Sequence, residues 1–384
     1  MSTERLLAKA REIGLDLIGV CRAMSAVTFP VFTNWLDEKM HGDISAGDAN
    51  SGMSYLMRHR EARRHPQSLL PDVKTTVVVG LSYESVNPGV KINAKAALDT
   101  TRPLTKRTET FGIVAEYARG ADYHDVMREK LRQLAETHRG LFPDAKTRIA
   151  VDTAPILERE YAWRAGLGWP GKNTMLINDR LGSRFFLGVL LSTAELCETD
   201  ERPIFAEQND FASLGPEQYS FCGNCRRCVD ACPSGALATP FRLDSRKCIN
   251  YWSIEYTGDD IPPEIADQFG NRLFGCETCQ RVCPFNHVNG NIASCEKSSC
   301  PTCQPHEKFR PNSDEASCPV AISPIDPAAM SLRGQFEAGI VSISHIENLD
   351  EAEFQRQFAG TPLIRLGLAR LKRNATIVQR NRAK

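Results

Sequence analysis

The sequence predicts an α+β domain that is followed by a cysteine-rich module and a small α-helical C-terminal part. Three observations support this prediction. Helix-like and strand-like apolar patterns alternate up to about residue 205, which is typical of a mixed helix-and-strand domain. Twelve of the fourteen cysteines of the 384-residue chain lie between Cys222 and Cys318, and helical periodicity returns from Pro327 onward. We therefore divide the chain into residues 1–205, 206–290, 291–325 and 326–384.

The first domain is predicted to alternate helices and strands along the chain. In order, we predict a helix over Thr3–Ile13, strands over Leu15–Val20 and Lys74–Tyr83, a helix over Asp122–Thr137, a strand over Lys146–Val151, a helix over Pro155–Ala165 and a strand over Phe185–Leu191. The β-branched run at 74–83 suits a strand that is covered on both faces. Asp152 ends one strand and is predicted to cap the helix that follows.

The composition excludes some classes of protein. Lys plus Arg and Asp plus Glu both number 47, so a generally basic nucleic-acid-binding surface is excluded, although a local basic patch is not. No apolar run reaches the roughly 18 residues that cross a bilayer, and the N-terminal segment MSTERLLAKA lacks the apolar core of a signal peptide. We therefore expect a soluble cytoplasmic protein whose cysteines serve metal binding or catalysis rather than disulfides.

The cysteines between 222 and 283 form the most specific motif. The segment Cys222-x2-Cys225-x2-Cys228-x3-Cys232-Pro233 has the spacing of bacterial ferredoxins. A second copy, Cys276-x2-Cys279-x3-Cys283-Pro284, lacks its first cysteine, which Cys248 can replace. These cysteines supply eight thiolates, which are enough for two 4Fe–4S clusters with four ligands each. In such pairs the cysteine before proline ligates the other cluster, and this rule assigns the ligands. Their ligands are Cys222, Cys225, Cys228 and Cys283 in one cluster, and Cys232, Cys248, Cys276 and Cys279 in the other. Zinc binding by the CxxC pairs is the alternative.

Two clusters imply an electron acceptor elsewhere in the chain. No GxGxxG turn follows a strand, and no Walker A loop occurs, so the acceptor is sought in residues 1–205. Asp152 lies at a strand end near the glycine-rich turn AGLGWPGKNT at 165–174, and a carboxylate in such a place suits acid–base chemistry. A helix cap beside a tight connection explains the same residues equally well.

At these segments the chain resembles the epoxyqueuosine reductase family, the cobalamin-dependent iron–sulfur enzymes of queuosine biosynthesis. The resemblance rests on VDTAPILERE at 151–160, AGLGWPGKNTMLI at 165–177, GSRFFLGVLL at 182–191, CGNCRRCVDACPSGAL at 222–237, LDSRKCINYWSIE at 243–255, NRLFGCETCQRVCPFN at 271–286 and GTPLIRLGLARLKRNA at 360–375. The segments follow one another in the family's order and cover most of the chain.

The resemblance implies a nitroreductase-like N-terminal domain that binds cobalamin without an axial protein ligand, and a HEAT-like C-terminus. The implied substrate is epoxyqueuosine at the wobble position of a tRNA with a GUN anticodon, and the product is queuosine. An external low-potential donor supplies electrons, which pass through both clusters to cobalt. Asp152 matches the family's proton donor, and we expect burial against the corrin to raise its pKa. Arg63, Lys172 and Asn173 match cofactor-binding positions.

The C-terminal segment is basic although the whole chain is neutral. From Arg356 to Lys384 there are eight Lys or Arg residues and no Asp or Glu. Because the implied substrate is a tRNA, we predict that phosphates are contacted by Arg365, Arg370, Lys372 and Arg373. An ordinary basic tail is the alternative.

Other functions remain open at this point. A corrinoid reductase of a small molecule, similar to the reductive dehalogenases, would use the same cofactors, and a ferredoxin-like electron carrier would need only the clusters. The four cysteines of the third segment are compatible with a 2Fe–2S site, a zinc site or free thiols; they are Cys295, Cys300, Cys303 and Cys318. We expect a monomer.

Overall fold

The structure is a computed structural model, and it describes residues 2–42, 52–83, 110–199, 215–287 and 332–384. The predictions for Cys295, Cys300, Cys303 and Cys318 lie outside the described residues. In the part of the chain that is described, no helix has both the length and the apolar character needed to cross a membrane.

The described residues form a mixed α/β fold. The strands are β1 (Leu17–Arg22), β2 (Thr75–Ser82), β3 (Phe111–Val114), β4 (Thr147–Ala150), β5 (Trp169–Pro170), β6 (Leu176–Ile177), β7 (Phe185–Ser192), β8 (Arg272–Phe274) and β9 (Ile340–Ser342). The α-helices are α1 (Ser2–Glu12), α2 (Phe29–Asp37), α3 (Tyr55–Arg58), α4 (Tyr123–Leu141), α5 (Glu158–Arg164), α6 (Arg227–Asp230), α7 (Pro263–Gln268), α8 (Thr278–Arg281), α9 (Leu332–Ala338), α10 (Ile343–Asn348), α11 (Glu351–Phe358), α12 (Leu363–Leu366) and α13 (Leu368–Arg382). A π-helix spans Tyr251–Glu255.

An antiparallel four-stranded sheet with the order β1-β2-β7-β4 organises the N-terminal part. Helices cover both of its faces. Val77 and Val79 of β2 belong to the apolar core that also contains side chains of α1 and α4, whereas Val78 belongs to the core formed with α5. The prediction that residues 74–83 form a strand buried on both faces is therefore confirmed.

Most predicted elements of this part, including the helix predicted over Pro155–Ala165, occur within a few residues of their expected positions, but the residue predicted to cap that helix is wrong. α5 begins at Glu158 with Leu157 as its N-cap residue. Asp152 does not cap it, because Asp152 has a φ of +50° and the chain bends between Asp152 and the helix. A left-handed residue of this kind cannot enter a right-handed helix, and aspartate tolerates the conformation better than most residues.

A second sheet joins three distant parts of the chain in the order β8-β3-β9. β3 pairs in parallel with β8 of the cysteine-rich module and antiparallel with β9 of the C-terminal part. α13 adds a further link, since the Asn374 side-chain amide donates to the carbonyl oxygens of Ser253 at 2.8 Å and Leu273 at 3.0 Å. These contacts bring all three parts to one cavity.

Candidate active site and cysteine groups

A cavity of about 720 Å³ lies where the N-terminal part, the cysteine-rich module and the C-terminal helices meet. Its volume is within the range of small-molecule sites. The aromatic lining residues are Tyr55, Tyr83, Tyr117, Tyr123, Phe185, Phe186 and Phe274. The titratable or charged ones are His124, Asp152, Glu158, Arg159, Glu255, Arg365 and Arg370.

Asp152 occupies the wall of this cavity, and 55% of its side-chain surface is accessible. Its position follows from local structure, because it lies two residues after the end of β4 and its left-handed backbone turns the chain away from the sheet. Its Oδ2 lies 2.9 Å from Nε2 of His124. The carboxylate that the sequence singled out therefore does face the cavity. Its position is set by the bend after β4 and not by capping of the next helix.

His124 connects Asp152 to a second carboxylate. Asp122 caps α4 by accepting the backbone N–H of His124, and its Oδ1 also lies 2.8 Å from Nδ1 of the same residue. Arg365 donates to Asp122 and lies against the imidazole, with Nη1 at 2.7 Å from Nδ1 and 2.9 Å from Nε2. Burial lowers the pKa of His124, but hydrogen bonds to Asp122 and Asp152 outweigh it, so the pKa is raised overall.

The protein groups around Asp152 lower its pKa, whereas the rise that we expect against a corrin stays a prediction. Burial does raise the pKa of Asp152, but hydrogen bonds with His124 and Tyr123 and the charge of Arg365 together outweigh it, so the pKa is lowered. Asp152 is therefore ionised near neutral pH and needs a proton source before it can act as an acid.

Two other carboxyl groups in the cavity hold protons more readily. Burial and the negative charge of Asp152 raise the pKa of Glu158 to about 8. Oε1 of Glu158 accepts the backbone N–H of Asp152 at 2.6 Å. Burial and the charge of Asp152 also raise the pKa of Glu255. The site therefore contains an ionised carboxylate next to a protonated carboxyl group.

The three other residues predicted to bind the cofactor differ in their surroundings. Arg63 is buried, donates to the carbonyl oxygen of His59 at 3.1 Å and lies over the Phe32 ring. The Lys172 ammonium donates to the carbonyl oxygens of Gly223 at 2.5 Å and Cys225 at 3.0 Å, so its observed contact is with the cysteine loop. The cofactor-binding roles of Arg63 and Lys172 stay predictions.

Asn173 differs from these two, because one of its polar atoms is orphaned. Its side chain is only 4% exposed. Oδ1 accepts the backbone N–H of Met175 at 3.2 Å, whereas Nδ2 has no hydrogen-bond partner among the described residues. An unmet buried donor costs free energy. Met175, two residues along the same turn, lines the cavity, whereas Asn173 itself is not among the lining residues.

Several of the eight motif cysteines lie close enough together to influence one another's pKa. Burial raises the pKa of Cys283 to about 12, and the thiols of Cys222, Cys225 and Cys228 add to this rise, which places Cys283 near the first motif. Burial likewise raises the pKa of Cys248 to about 11, with contributions from Cys276 and Cys232.

Burial also raises the pKa of Cys279, and the thiols of Cys276, Cys248, Cys228 and Cys232 add to this rise. Because Cys228 belongs to the other predicted ligand set, these interactions do not separate the two sets. Among the described residues, no three His, Cys, Asp or Glu side chains surround a point that a single metal ion would occupy. Thiolates bind both iron–sulfur clusters and zinc, so the individual ligands stay predictions.

The basic residues predicted to contact tRNA are distributed unevenly. Arg365 and Arg370 line the cavity, and Arg370 also donates to the carbonyl oxygen of Ile254 at 2.9 Å. Arg373 donates to the carbonyl oxygens of Trp252, Tyr256 and Gly258 and to Oδ1 of Asn374. These bonds use all five N–H groups of the Arg373 guanidinium. Lys372 is partly exposed, and its ammonium has no partner among the described residues. Phosphate contact stays a prediction for all four.

Sequence analysis missed the cavity residues His124, Glu158 and Glu255, and also Asp122, which contacts His124. Glu158 lies inside a segment that supported the family resemblance, but nothing in its spacing indicated a link to the Asp152 backbone. The Asp-Tyr-His run at 122–124 begins a predicted helix. A histidine two residues after a capping aspartate was the sequence feature that could have indicated this part of the site.

Comparison with known proteins places these features in a family. A family model described as 4Fe-4S double cluster binding domain matches residues 221–286, and one described as Epoxyqueuosine reductase QueG, DUF1730, matches residues 63–153. The epoxyqueuosine reductase of Alicycliphilus denitrificans is 31% identical over 377 residues, which cover 98% of this chain and 86% of that relative. The enzyme of Xanthomonas campestris is 32% identical over 97% of this chain and 85% of that relative. The chain belongs to the epoxyqueuosine reductase family.

Solved structures agree with membership of the epoxyqueuosine reductase family. A crystal structure of epoxyqueuosine reductase with a tRNA-Tyr epoxyqueuosine-modified stem loop has a TM-score of 0.68 and 25% identity, covering 98% of this chain and 80% of that chain. The epoxyqueuosine reductase of Streptococcus thermophilus has a TM-score of 0.69 at 21% identity, covering 99% and 81%, and shows the fold alone. The predictions of the family, of an oxidoreductase and of an iron–sulfur module are therefore confirmed.

Proposed function

We propose that the protein reduces epoxyqueuosine at the wobble position of tRNA to queuosine, the last step of queuosine biosynthesis. The observation that carries the proposal is the hydrogen-bonded Asp122–His124–Asp152 group, which faces a cavity shared with the cysteine-rich module. A relative in the same family has been crystallised with an epoxyqueuosine-modified tRNA stem loop, which favours a tRNA substrate over a small molecule.

The cavity suits cobalamin as the cofactor. Bound cobalamin would supply cobalt as the electron carrier between the clusters and the epoxide. The orphaned Nδ2 of Asn173 would donate to one of its polar side groups, and aromatic residues would pack against its apolar surface. Both ring nitrogens of His124 are hydrogen bonded to carboxylates, so this histidine would orient Asp152 beside the cofactor.

The residues of the chain handle protons at the epoxide oxygen. Asp152 delivers a proton as a C–O bond breaks, which prevents an unfavourable alkoxide from accumulating. His124 holds the Asp152 carboxylate in place and carries positive charge beside it. Arg365 fixes Asp122 and the imidazole, and thereby the geometry of the acid.

The proposal includes the finer organisation that the family suggests. Residues 1–205 form a nitroreductase-like cobalamin domain, 206–290 a ferredoxin-like module with two 4Fe–4S clusters, 291–325 a linker and 326–384 a HEAT-like helical part that contacts tRNA with a GUN anticodon. The protein acts as a cytoplasmic monomer and takes electrons from an external low-potential donor.

The test is anaerobic conversion of epoxyqueuosine-containing tRNA by protein reconstituted with iron, sulfide and cobalamin. We expect queuosine in tRNA digests by mass spectrometry only when cobalamin is present. Asp152→Asn should lower conversion by about 10²-fold or more, because a general acid contributes about 10²–10⁴-fold, and should still bind cobalamin and both clusters. Lack of conversion by fully loaded wild type would contradict the proposal and favour a small-molecule corrinoid reductase.

A further inference from the structure

The reaction needs a second proton source besides Asp152, and this inference rests on the proposed function. Removal of the epoxide oxygen breaks two C–O bonds, forms one C=C bond and releases water. It therefore consumes two electrons, which the clusters supply, and two protons, both of which end on the departing oxygen. Asp152 carries at most one proton at a time, and the structure leaves it ionised.

Glu158 is a cavity carboxyl group that is hydrogen bonded directly to the backbone of Asp152. It is the first residue of α5, and its Oε1 accepts the Asp152 backbone N–H at 2.6 Å. The left-handed backbone at Asp152 belongs to the same bend. A protonated carboxyl group still accepts through its carbonyl oxygen and keeps an O–H to donate, so this bond leaves Oε2 to carry a proton.

The surroundings of Glu158 determine where the proton resides. Burial and the negative charge of Asp152 raise the pKa of Glu158 to about 8, against the opposing effects of the Asp152 N–H, Arg159 and Arg63. The phenols of Tyr55 and Tyr123 also face this group, and burial raises the pKa of each above its ordinary value, so both stay neutral. At neutral pH the proton therefore resides on Glu158 and the negative charge on Asp152.

We propose that Glu158 is a positioning residue that fixes Asp152 through its backbone N–H and supplies Asp152 with the protons of each turnover. Each of the two protons passes from Oε2 of Glu158 to the Asp152 carboxylate and then to the departing oxygen, which leaves as water. Solvent returns a proton to Glu158 after each of the two transfers. Atoms and charge then balance with the two electrons from the clusters.

Two substitutions separate the proton from the hydrogen bond. Glu158→Gln keeps an oxygen that accepts the Asp152 N–H but has no acidic proton, whereas Glu158→Ala removes both. In enzyme loaded with clusters and cobalamin, we expect Glu158→Gln to lose about 10²-fold in kcat at pH 7 with an unchanged KM for tRNA. Wild-type kcat should fall as pH rises through about 8, and this decline should be absent from Glu158→Gln. Glu129→Gln, at an exposed position of α4, is the matched control.

Infrared titration supplies a readout that does not depend on turnover. The wild type should show a carboxylic acid C=O band that disappears as pH rises through about 8, and Glu158→Gln should lack it. If Glu158→Gln kept the wild-type kcat and pH profile, or still showed the band, the proposed role of Glu158 would be overturned. Conversion by the wild type would in that case still support the proposed function. Absence of conversion by the loaded wild type would overturn both.

Discussion

At the scale of single residues, the site depends on how Asp122, His124 and Asp152 share charge. His124 lies between the two carboxylates at 2.8 and 2.9 Å. Burial opposes ionisation of all three groups, yet the hydrogen bonds raise the pKa of His124 and lower those of Asp122 and Asp152. An imidazolium held in this way keeps Asp152 oriented toward the cavity and ionised until a proton arrives.

This charge sharing predicts a pH window for stability. The raised pKa of His124 stabilises the fold fully below its unfolded value of about 6.5, and this contribution is lost as pH rises through the folded pKa. The lowered pKa values of Asp122 and Asp152 stabilise the fold above about 3.9, and their contribution is lost as pH falls through the folded values. The network is therefore most stabilising between about pH 4 and about pH 6.5.

The test of this window is His124→Asn, which removes the imidazolium and leaves Asp122 able to cap α4. The difference in Tm between wild type and His124→Asn, measured anaerobically on the holoenzyme, should be largest inside the window and should shrink above it. The exposed His59→Asn substitution is the control. A difference that grew above pH 7 would contradict the assignment of positive charge to His124.

At the scale of elements, much of the fold was predictable because local patterns decide it. The alternation of Val77, Val78 and Val79 between two cores follows from strand geometry and is visible in the sequence. The start of α5 was not predictable, because it depends on a left-handed Asp152 stabilised by Glu158. Sequence spacing did not reveal the site either. His124 is 28 positions from Asp152 and 241 positions from Arg365 along the chain.

The turn that contains Lys172 connects the N-terminal part with the first cysteine motif. The Lys172 ammonium donates to carbonyl oxygens of Gly223 and Cys225, and its own carbonyl oxygen accepts the Phe241 N–H at 2.9 Å. A positive charge so close to a cysteine loop would favour an added electron on a cluster bound there. We therefore expect Lys172 to stabilise the loop conformation and to favour reduction of that cluster.

Lys172→Met tests this function, because it keeps most of the apolar stem and removes the charge. We expect the reduction potential of the cluster ligated by the first motif to fall by on the order of 50 mV, since a nearby charge at an effective dielectric constant of about 20 is worth about 1–4 kcal/mol. Redox titration followed by electron paramagnetic resonance measures this change. Lys172→Arg, which keeps the charge, should stay near the wild-type potential; an equal fall in both variants would indicate loop distortion instead.

At the scale of the whole molecule, the C-terminal part is built into the site instead of lying beside it. β9 completes the second sheet, and Asn374 of α13, fully buried, binds carbonyl oxygens of the π-helix and of β8. The same helices carry Arg365 and Arg370 into the cavity. A neutral chain thereby brings two arginines of its basic C-terminal segment to a cavity whose proposed substrate is an RNA loop.

The basic residues of α13 should divide between tRNA binding and structure. Lys372→Gln should weaken tRNA binding and reduce the slope of log Kd against log salt by about 0.7–0.9, because about one phosphate contact is lost. Arg373→Gln removes hydrogen bonds to carbonyl oxygens of the cysteine-rich module, so it should lower the free energy of unfolding by about 1–3 kcal/mol, and an unchanged slope would exclude Arg373 from phosphate contact. Lys146→Gln, at an exposed lysine in the N-terminal part, is the control. Fluorescence anisotropy across a salt series measures the slope, and equal slopes for Lys372→Gln and wild type would exclude Lys372 from phosphate contact.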